Sequence, residues 1–297
     1  MLLLKRLLPL VLVALTAQTA TAATPRCFGA PSAAGCRNPA LDTTVTPTPA
    51  QALQLPNAPC EPVAFGVPFV CTFGRPRGEG ARNVALIGDS HAVHWRAALG
   101  PVALTRGWHG SSLTRAGCPY STVAPILPPR LLPDCLAWRR TIPRWLARHR
   151  EVDTVFVSEH RVRTAGGLRA QERGYMRAWQ NLPRSVTRIV VIRDTPGSGS
   201  ATRACVNRAI IAELDAGVEC AMPRSSVLHA DPAAAAARRA HSRRIVLVDM
   251  TKYFCDATRC FPVIGGALVH KDNTHITATY GATIAPFLGR RLTKLGV

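Results

Sequence analysis

Short apolar runs alternate along this chain with longer segments that have helical spacing. From Asn83 onward, several runs are apolar at consecutive positions and rich in Val and Ile. That pattern is typical of strands buried on both faces of a sheet. The pattern predicts strands at residues 84–87, 152–158, 188–193 and 244–249, and a weaker one at 109–113.

The segments between these strands predict helices, because their apolar residues recur with a period near 3.6. Strands that alternate with helices are typical of a parallel sheet covered by helices on both faces. The expected fold class is therefore α/β. The predicted helices cover residues 91–106, 138–150, 168–182, 231–242 and 277–295.

The first 80 residues lack this alternation. Residues 43–59 are rich in Pro, Thr and Ala, which predicts a loop or linker. Residues 60–74 are expected to form a disulfide-tied hairpin that leads into the core. We therefore predict an irregular N-terminal segment over residues 24–80 and the main domain over 81–297.

The amino end has the features of a signal peptide over residues 1–23. Lys5 and Arg6 precede an apolar stretch at 7–15, and small residues follow at Ala20-Thr21-Ala22. The apolar stretch is short for a membrane span. We expect cleavage and export to the periplasm or the medium, with an uncleaved N-terminal membrane anchor as the alternative.

Ten cysteines agree with export, because an oxidising compartment keeps disulfides closed. The sequence contains no CxxC pair that would indicate a metal site. Many pairings are possible in principle, and we prefer local ones because short loops close at the least entropic cost. The preferred pairs are Cys27 with Cys36, Cys60 with Cys71, Cys118 with Cys135, Cys205 with Cys220, and Cys255 with Cys260.

Composition and charge narrow the function classes. A hydrophobic content of 47% with 18% charged residues fits a globular protein. The net charge of +20 is consistent with an anionic partner such as lipopolysaccharide, teichoic acid, a capsule or a membrane surface, or with a compositional bias, since the arginines form no block. Only 6% of residues are aromatic and no stacking motif accompanies the basic residues, which argues against nucleic acid.

The first candidate chemical group is Ser90, in Gly88-Asp89-Ser90-His91 directly after the strand at 84–87. The carboxyl edge of such a sheet is where α/β folds bind ligands, and the next helix directs its free N–H groups there. A serine hydroxyl needs a base within hydrogen-bond reach to act as a nucleophile. The alternative is that Asp89 and Ser90 only cap the helix.

The second candidate is Asp272-Asn273-Thr274-His275. This spacing predicts that both side chains lie on one face of a helical turn, with Asp272 orienting His275 as the general base for Ser90. The alternative is that Asp272 caps the helix near Thr277 while His275 lies on the surface. His270 is a nearby competitor for the role of base.

Other residues are secondary candidates. His91 and His94 have a spacing that can bind a metal, but no third ligand is apparent, so we assign them to packing or to the lining of the site. The backbone N–H groups of Ser90 and Gly117 are candidate oxyanion donors. Arg161 or His160, at the end of the strand at 152–158, is a candidate for substrate contact.

Taken together, these motifs resemble the SGNH (GDSL-like) hydrolase family, and within it the extracytoplasmic SGNH domains of acyltransferase family 3 proteins. The resemblance spans about residues 60–290. The ordered set of motifs is more specific than either catalytic motif alone. It consists of Cys71-Thr72-Phe73-Gly74, Ala85-Leu86-Ile87-Gly88-Asp89-Ser90-His91-Ala92, Trp95, Gly117-Cys118-Pro119, Cys135 with Trp138, Thr195-Pro196, Cys205 with Cys220, Val248-Asp249, Cys255 with Cys260, Asp272-x-x-His275 and Gly281-Ala282.

The resemblance implies a flavodoxin-like three-layer α/β/α sandwich. It also implies Ser90, Asp272 and His275 as a triad that acts without a metal or an organic cofactor. The substrates implied are acyl esters, often acetyl, of cell-surface sugars. The chain departs from the family pattern in two respects: residues 158–161 contain no Asn oxyanion donor, and no multi-helix acyltransferase half is present, so a separate membrane acyltransferase is a possible partner.

The sequence thus predicts an exported serine esterase or O-acyltransferase that acts on acylated cell-surface glycans. A different class of function stays open: a weak or inactive module that binds envelope polysaccharide, suggested by the missing Asn and the net charge. A third reading is an accessory partner of a membrane acyltransferase.

Overall fold

The computed structural model describes residues 23–56, 58, 60–64, 68–80, 82–164 and 166–297. The predicted signal peptide, apart from Ala23, lies outside the described residues. Within the described ranges, no helix combines the length and the apolar character needed to cross a membrane.

The strands are numbered in chain order, and most of them belong to one central sheet. They are β1 (Glu61–Ala64), β2 (Val70–Gly74), β3 (Arg82–Gly88), β4 (Trp108–Thr114), β5 (Val152–Ser158), β6 (Arg188–Ile192), β7 (Met222–Pro223), β8 (Ile245–Val248), β9 (Arg259–Cys260), β10 (Val263–Ile264) and β11 (Ala267–Leu268).

The helices are also numbered in chain order. They are α1 (Ala30–Ala33), α2 (Pro49–Gln54), α3 (Ser90–Arg106), α4 (Leu132–Arg148), α5 (Gly167–Gln180), α6 (Thr202–Ile211), α7 (Ala216–Glu219), α8 (Arg224–Val227), α9 (Pro232–Arg239) and α10 (Ala278–Lys294).

The central sheet has seven strands in the part of the chain that the structure describes, in the order β1-β2-β4-β3-β5-β6-β8. The strands β4, β3, β5, β6 and β8 run parallel to their neighbours. These five are the strands that the sequence predicts. The strand β2 is antiparallel to both β1 and β4 and extends one edge. The predicted α/β fold with a mainly parallel sheet is confirmed.

The two faces of the sheet carry separate hydrophobic cores, as consecutive apolar positions in the strands predict. On β3, Val84 and Leu86 pack on the side of α3 and α10, in a cluster that includes Trp95. Ala85 and Ile87 pack on the other side, in a cluster with Trp138 of α4. The result is three layers, with the sheet in the middle.

The predicted helices correspond to α3, α4, α5, α9 and α10, with some differences at their ends. The helix α4 begins at Leu132, six residues before the predicted start, because Pro133 occupies the first turn, where a missing N–H costs nothing. The helix α6 was not predicted. Only Thr202, Val206 and Ala209 of its side chains are buried, too few to give a clear helical period.

The N-terminal segment contributes to the domain as well as preceding it. The strands β1 and β2 form the expected hairpin, which the Cys60–Cys71 disulfide ties. Ala30 of α1 is fully buried in the cluster on the α10 side. All five preferred local disulfides are present, and they fit an oxidising compartment.

Candidate active site

Ser90 lies at the carboxyl edge of the sheet and is the first residue of α3. The strand before it ends at Gly88, which is in parallel register with Thr114 of β4 and Ser158 of β5. The Asp89 carboxylate accepts a hydrogen bond from the His91 N–H at 2.8 Å and so caps the helix. The capping role therefore belongs to Asp89, which leaves the Ser90 side chain available for another role.

Gly88 is required at the turn into α3 because two strands approach closely there. Its φ is 145°, and a Cβ at this position would overlap the carbonyl oxygen of Ser158. The Gly-Asp-Ser order thus follows from packing at the end of β3: a glycine for the close approach, a cap, then the serine.

Asp272 and His275 form a hydrogen-bonded pair in the turn before α10. The Nδ1 atom of His275 lies 3.0 Å and 2.9 Å from the two carboxylate oxygens of Asp272. The turn is not helical, contrary to our expectation. The Asp272 carboxylate instead folds over the turn and accepts the N–H groups of Thr274 and His275, while Thr277 caps α10.

The Asp272 carboxylate is held ionised. Burial would raise its pKa, but the hydrogen bonds from the His275 side chain and from the backbone N–H groups of Thr274 and His275 lower that pKa below its usual value. An ionised Asp272 orients the Nδ1–H of His275. The Nε2 atom of His275 is buried and has no hydrogen-bond partner among the described residues, so it is free to accept a proton.

The pair lies against the helix that begins at Ser90. The ring centroid of His275 is 4.9 Å from that of His91, the residue after Ser90. The Nδ1 atom of His94, one turn further along α3, accepts the Ile276 N–H at 3.4 Å. Ser90 and His275 are not hydrogen-bonded to each other in this structure, as the unpartnered Nε2 atom shows. Catalytic hydrogen bonds commonly tighten only when substrate binds.

A second carboxylate at the sheet edge, Asp194, was not predicted from the sequence. It follows β6, and its two oxygens contact the Nδ1 atoms of His91 at 2.5 Å and of His160 at 3.1 Å. The rings of His91 and His160 stack with centroids 4.2 Å apart. The available signal was its position directly after a predicted strand, where the carboxyl ends of parallel strands meet.

The same three residues are the group of potential metal ligands in the described part of the chain, with ligand atoms within 4.8 Å of one another. The His91–His94 pair considered from the sequence does not form such a group. The two Nδ1 atoms that face Asp194 already have hydrogen bonds to its carboxylate, and these bonds account for the arrangement. We therefore treat His91, His160 and Asp194 as a hydrogen-bonded network.

The charge on Asp194 is fixed by this network. Burial would raise its pKa, but the charge of His91 and the hydrogen bonds from His160 and His91 lower it well below its usual value. Behind it, Asp231 accepts the Asp194 N–H at 2.9 Å and caps α9. Burial, together with the charge of Asp194, raises the pKa of Asp231 to about 6.

Two further buried acids, Asp89 and Glu159, follow the carboxyl ends of β3 and β5. The Asp89 carboxylate accepts the N–H groups of His91 and His160, and burial raises its pKa. Glu159 accepts the Tyr120 N–H at 2.8 Å through one oxygen, and its other oxygen is buried without a partner in the described residues. Burial raises the Glu159 pKa well above its usual value.

The remaining candidates lie around this centre. Gly117 has φ 67° in the turn after β4, next to Arg115, whose N–H donates to the Gly88 carbonyl at 3.0 Å. Arg161 is exposed at the rim of a cavity of about 810 Å³ that His91, His160 and Asp194 also line. His270 is buried, and its Nε2 atom lies 2.7 Å from the Pro196 carbonyl oxygen. Burial lowers the pKa of His270 to about 4, which makes it a weaker base than a free imidazole.

A family model described as "SGNH domain (fused to AT3 domains)" matches residues 59–290. The chain belongs to this family. The matched residues include both the Gly88-Asp89-Ser90-His91 motif and the Asp272-x-x-His275 motif. The mainly parallel sheet of this SGNH domain agrees with the match.

A solved structure also resembles this SGNH domain. It is the periplasmic domain of the lipopolysaccharide acetyltransferase of Salmonella ser. Paratyphi A, with a TM-score of 0.58 and 14% sequence identity. The match covers 72% of this chain and 85% of that one. The likeness shows that the two share a fold. No curated protein matches the chain.

Proposed function

We propose that this SGNH domain is an exported serine esterase or O-acyltransferase in which Ser90, His275 and Asp272 form the catalytic triad. The Ser90 hydroxyl attacks the carbonyl carbon of an acyl ester, and the Nε2 atom of His275 takes its proton. Asp272 holds the imidazole in the required tautomer. The protonated His275 then gives its proton to the leaving sugar oxygen, which leaves an acyl group on Ser90.

The second half of the reaction resolves the acyl-enzyme. His275 removes a proton from an incoming water or sugar hydroxyl, whose oxygen attacks the acyl carbon. The bond to Ser90 then breaks, and the Ser90 oxygen takes the proton back from His275. With water the product is a free acid, and with a sugar it is a new ester. The exclusion of water from the site decides between the two outcomes.

One observation supports the proposal above the others. His275 makes two short contacts to an ionised carboxylate through Nδ1. Its Nε2 atom is buried beside the helix that begins at Ser90 and has no partner among the residues that the structure describes. A buried and unpaired acceptor is costly in a purely structural role. It is the arrangement that a general base requires.

The substrate we propose is an acyl ester, most simply an acetyl ester, of a cell-surface glycan. In this family the domain is fused to AT3 domains, and the solved relative is named as a lipopolysaccharide acetyltransferase. The five disulfides fit an exported protein. By the same argument, we propose a separate membrane acyltransferase as a partner that supplies acyl groups.

A fluorophosphonate probe tests the nucleophile directly. We expect the purified protein to form one covalent adduct, which peptide mass spectrometry assigns to Ser90. Ser90→Ala should lose both the adduct and the hydrolysis of short-chain nitrophenyl esters. The matched control is Ser200→Ala, an exposed serine that lines the cavity beside Asp272, which should keep both.

Absence of any adduct, together with absence of ester hydrolysis, would remove the enzymatic proposal. If glycan binding then survived Ser90→Ala and weakened with salt, the observations would support a polysaccharide-binding module in its place.

A further inference from the structure

We infer that the imidazole of His160 is a catalytic residue: it donates a hydrogen bond from Nε2 to the oxyanion that forms when Ser90 attacks the acyl carbonyl. The inference rests on the proposed function and adds to it a donor that the triad does not supply. It concerns the charge that develops on the carbonyl oxygen, which catalytic sites stabilise with preorganised donors.

The register of the sheet places His160 beside Ser90. Gly88 at the end of β3 is paired with Ser158 at the end of β5. Ser90 and His160 each follow two residues later, so they leave adjacent parallel strands at the same level. The Asp89 carboxylate joins the two segments directly, because it accepts the His160 N–H at 2.9 Å.

The other two candidate donors are backbone N–H groups that follow the neighbouring strands β3 and β4. In the described residues, neither the Ser90 N–H nor the Gly117 N–H has a hydrogen-bond acceptor. Ser90 follows β3, Gly117 follows β4 and His160 follows β5, and these strands are adjacent in the order β4-β3-β5. The three donors therefore follow three neighbouring strands, with Ser90 on the middle one.

The His160 ring is held by a hydrogen bond at only one of its two nitrogens. Its Nδ1 atom lies 3.1 Å from Asp194, and its ring stacks on His91 at 4.2 Å. No partner within the described ranges contacts Nε2, and the side chain is 37% exposed to the cavity. Asp194 is itself anchored by His91, so the ring is preorganised while Nε2 stays available to substrate.

The surrounding charges favour the imidazolium form of His160. The hydrogen bond to Asp194 raises the pKa of His160, and the charges of Asp194 and Asp89 raise it further, whereas burial and Arg161 lower it. Three other titratable groups lie near the His160 ring. The His91 ring stacks on it, Glu159 precedes it in the chain, and Asp231 accepts the Asp194 N–H. The charge state matters because a neutral ring that gives its Nδ1–H to Asp194 has no proton left on Nε2.

The test is the pH dependence of kcat and kcat/KM for a short-chain acetyl ester. In the unchanged protein we expect activity to fall at alkaline pH, as His160 loses its proton above its raised pKa. His160→Ala should lower kcat by about 10²–10³-fold with little change in KM. His160→Asn, whose amide donates without titrating, should restore much of kcat and remove the alkaline fall.

Two further variants separate this role from a structural one. Asp194→Asn removes the carboxylate that raises the His160 pKa, so the alkaline fall should move to lower pH. The matched control is His229→Asn, an exposed histidine that lines the same cavity, which should leave the pH profile unchanged. Thermal unfolding of each variant reports any loss of folding independently.

The inference is overturned if His160→Ala keeps the kcat and the alkaline fall of the unchanged protein, or if His160→Asn keeps that fall. If His160→Ala does not fold, the Asn variants at 160 and 194 carry the test alone. Failure of the proposed function is distinct, because then the unchanged protein would neither label at Ser90 nor hydrolyse the ester.

Discussion

Gly88 shows how one residue can set the geometry of the candidate site. It has no Cβ, and therefore β3 can approach the Ser158 carbonyl closely enough to bring Ser90 and His160 to the same edge. Gly88→Ala should cost about 3 kcal/mol or more of unfolding free energy, because the overlap is with backbone that cannot move away cheaply. Urea denaturation measures the loss.

The control for this prediction is Gly100→Ala in α3. No atom of the described residues lies within 4 Å of a Cβ built at Gly100, and the backbone φ of Gly100 is ordinary. Alanine in a helix is more favourable than glycine by about 0.5–1 kcal/mol, so this variant should be as stable as the unchanged protein or more so. Equal effects at the two positions would contradict the packing argument.

Glu159 gives a pH-dependent prediction at the same scale. Burial raises the pKa of Glu159 in the folded state, so the unfolded state ionises at lower pH than the folded state does. Stability therefore falls as pH rises from the ordinary pKa of a glutamate, about 4.3, towards the raised one. Glu159→Gln keeps an acceptor for the Tyr120 N–H and cannot ionise. The stability of the unchanged protein should therefore match the variant below pH 4.5 and fall behind it as pH rises.

Thermal midpoints measured across this pH range test the prediction. A difference between Glu159→Gln and the unchanged protein that stays constant with pH would show that the Glu159 pKa is the same in the folded and unfolded states, contrary to the prediction.

At the residue scale, Asp272 and His275 could be selected as candidates from the sequence because they lie only three positions apart. Asp194 could not be selected in this way. A single acid after a strand looks like many loop residues, and its role comes from contacts with His91 and His160 that are 103 and 34 positions away. Such contacts exist only after the strands have assembled.

At the scale of elements, the packing of α10 against α3 holds the two halves of the site together. Ser90 begins α3, and His275 lies just before α10. A Cβ at Gly281 of α10 would lie 2.7 Å from the Cβ of Ala97 on α3, so the helices are close because one of the two positions is glycine.

This contact predicts a compensating pair of substitutions. Gly281→Ala should cost about 1–3 kcal/mol by overpacking and should lower ester hydrolysis by separating the helices. Ala97→Gly should cost about 1 kcal/mol through helix propensity. The double variant should be more stable than the sum of the single effects, because it restores one glycine at the contact. Purely additive free energies from denaturation curves would argue against the contact.

The elements themselves were predictable where they are long and periodic. The five parallel strands and the five main helices follow from consecutive apolar runs and helical spacing. The order in the sheet and the antiparallel addition of β2 next to β4 were not predictable, because strand pairing depends on contacts that sequence periodicity does not record. The helix α6 was missed for its weak apolar pattern.

At the scale of the whole molecule, each disulfide joins two segments that are close in the sequence. Cys118–Cys135 ties the turn that contains Gly117 to α4, across a separation of 17 residues. Cys27–Cys36 closes a shorter loop in the N-terminal segment, with a separation of 9. Loop entropy predicts a stabilisation of about 3 kcal/mol for each.

Replacing each pair with alanines should therefore lower the thermal midpoint to a similar degree. Only the Cys118→Ala/Cys135→Ala variant should also lower kcat, because it loosens the turn at Gly117. Esterase assays at a temperature where both variants are folded make the comparison. Equal kcat values for the two variants would count against a role of that turn in catalysis.

The most direct test of the central claim is to trap the acyl-enzyme. The protein is mixed with an acetyl ester, quenched in acid, digested and analysed by peptide mass spectrometry. We predict that the peptide containing Ser90 gains one acetyl group, that His275→Ala greatly reduces this product, and that Ser90→Ala abolishes it. Rapid ester turnover with no acetyl group on Ser90, or with the group on another residue, would contradict the account.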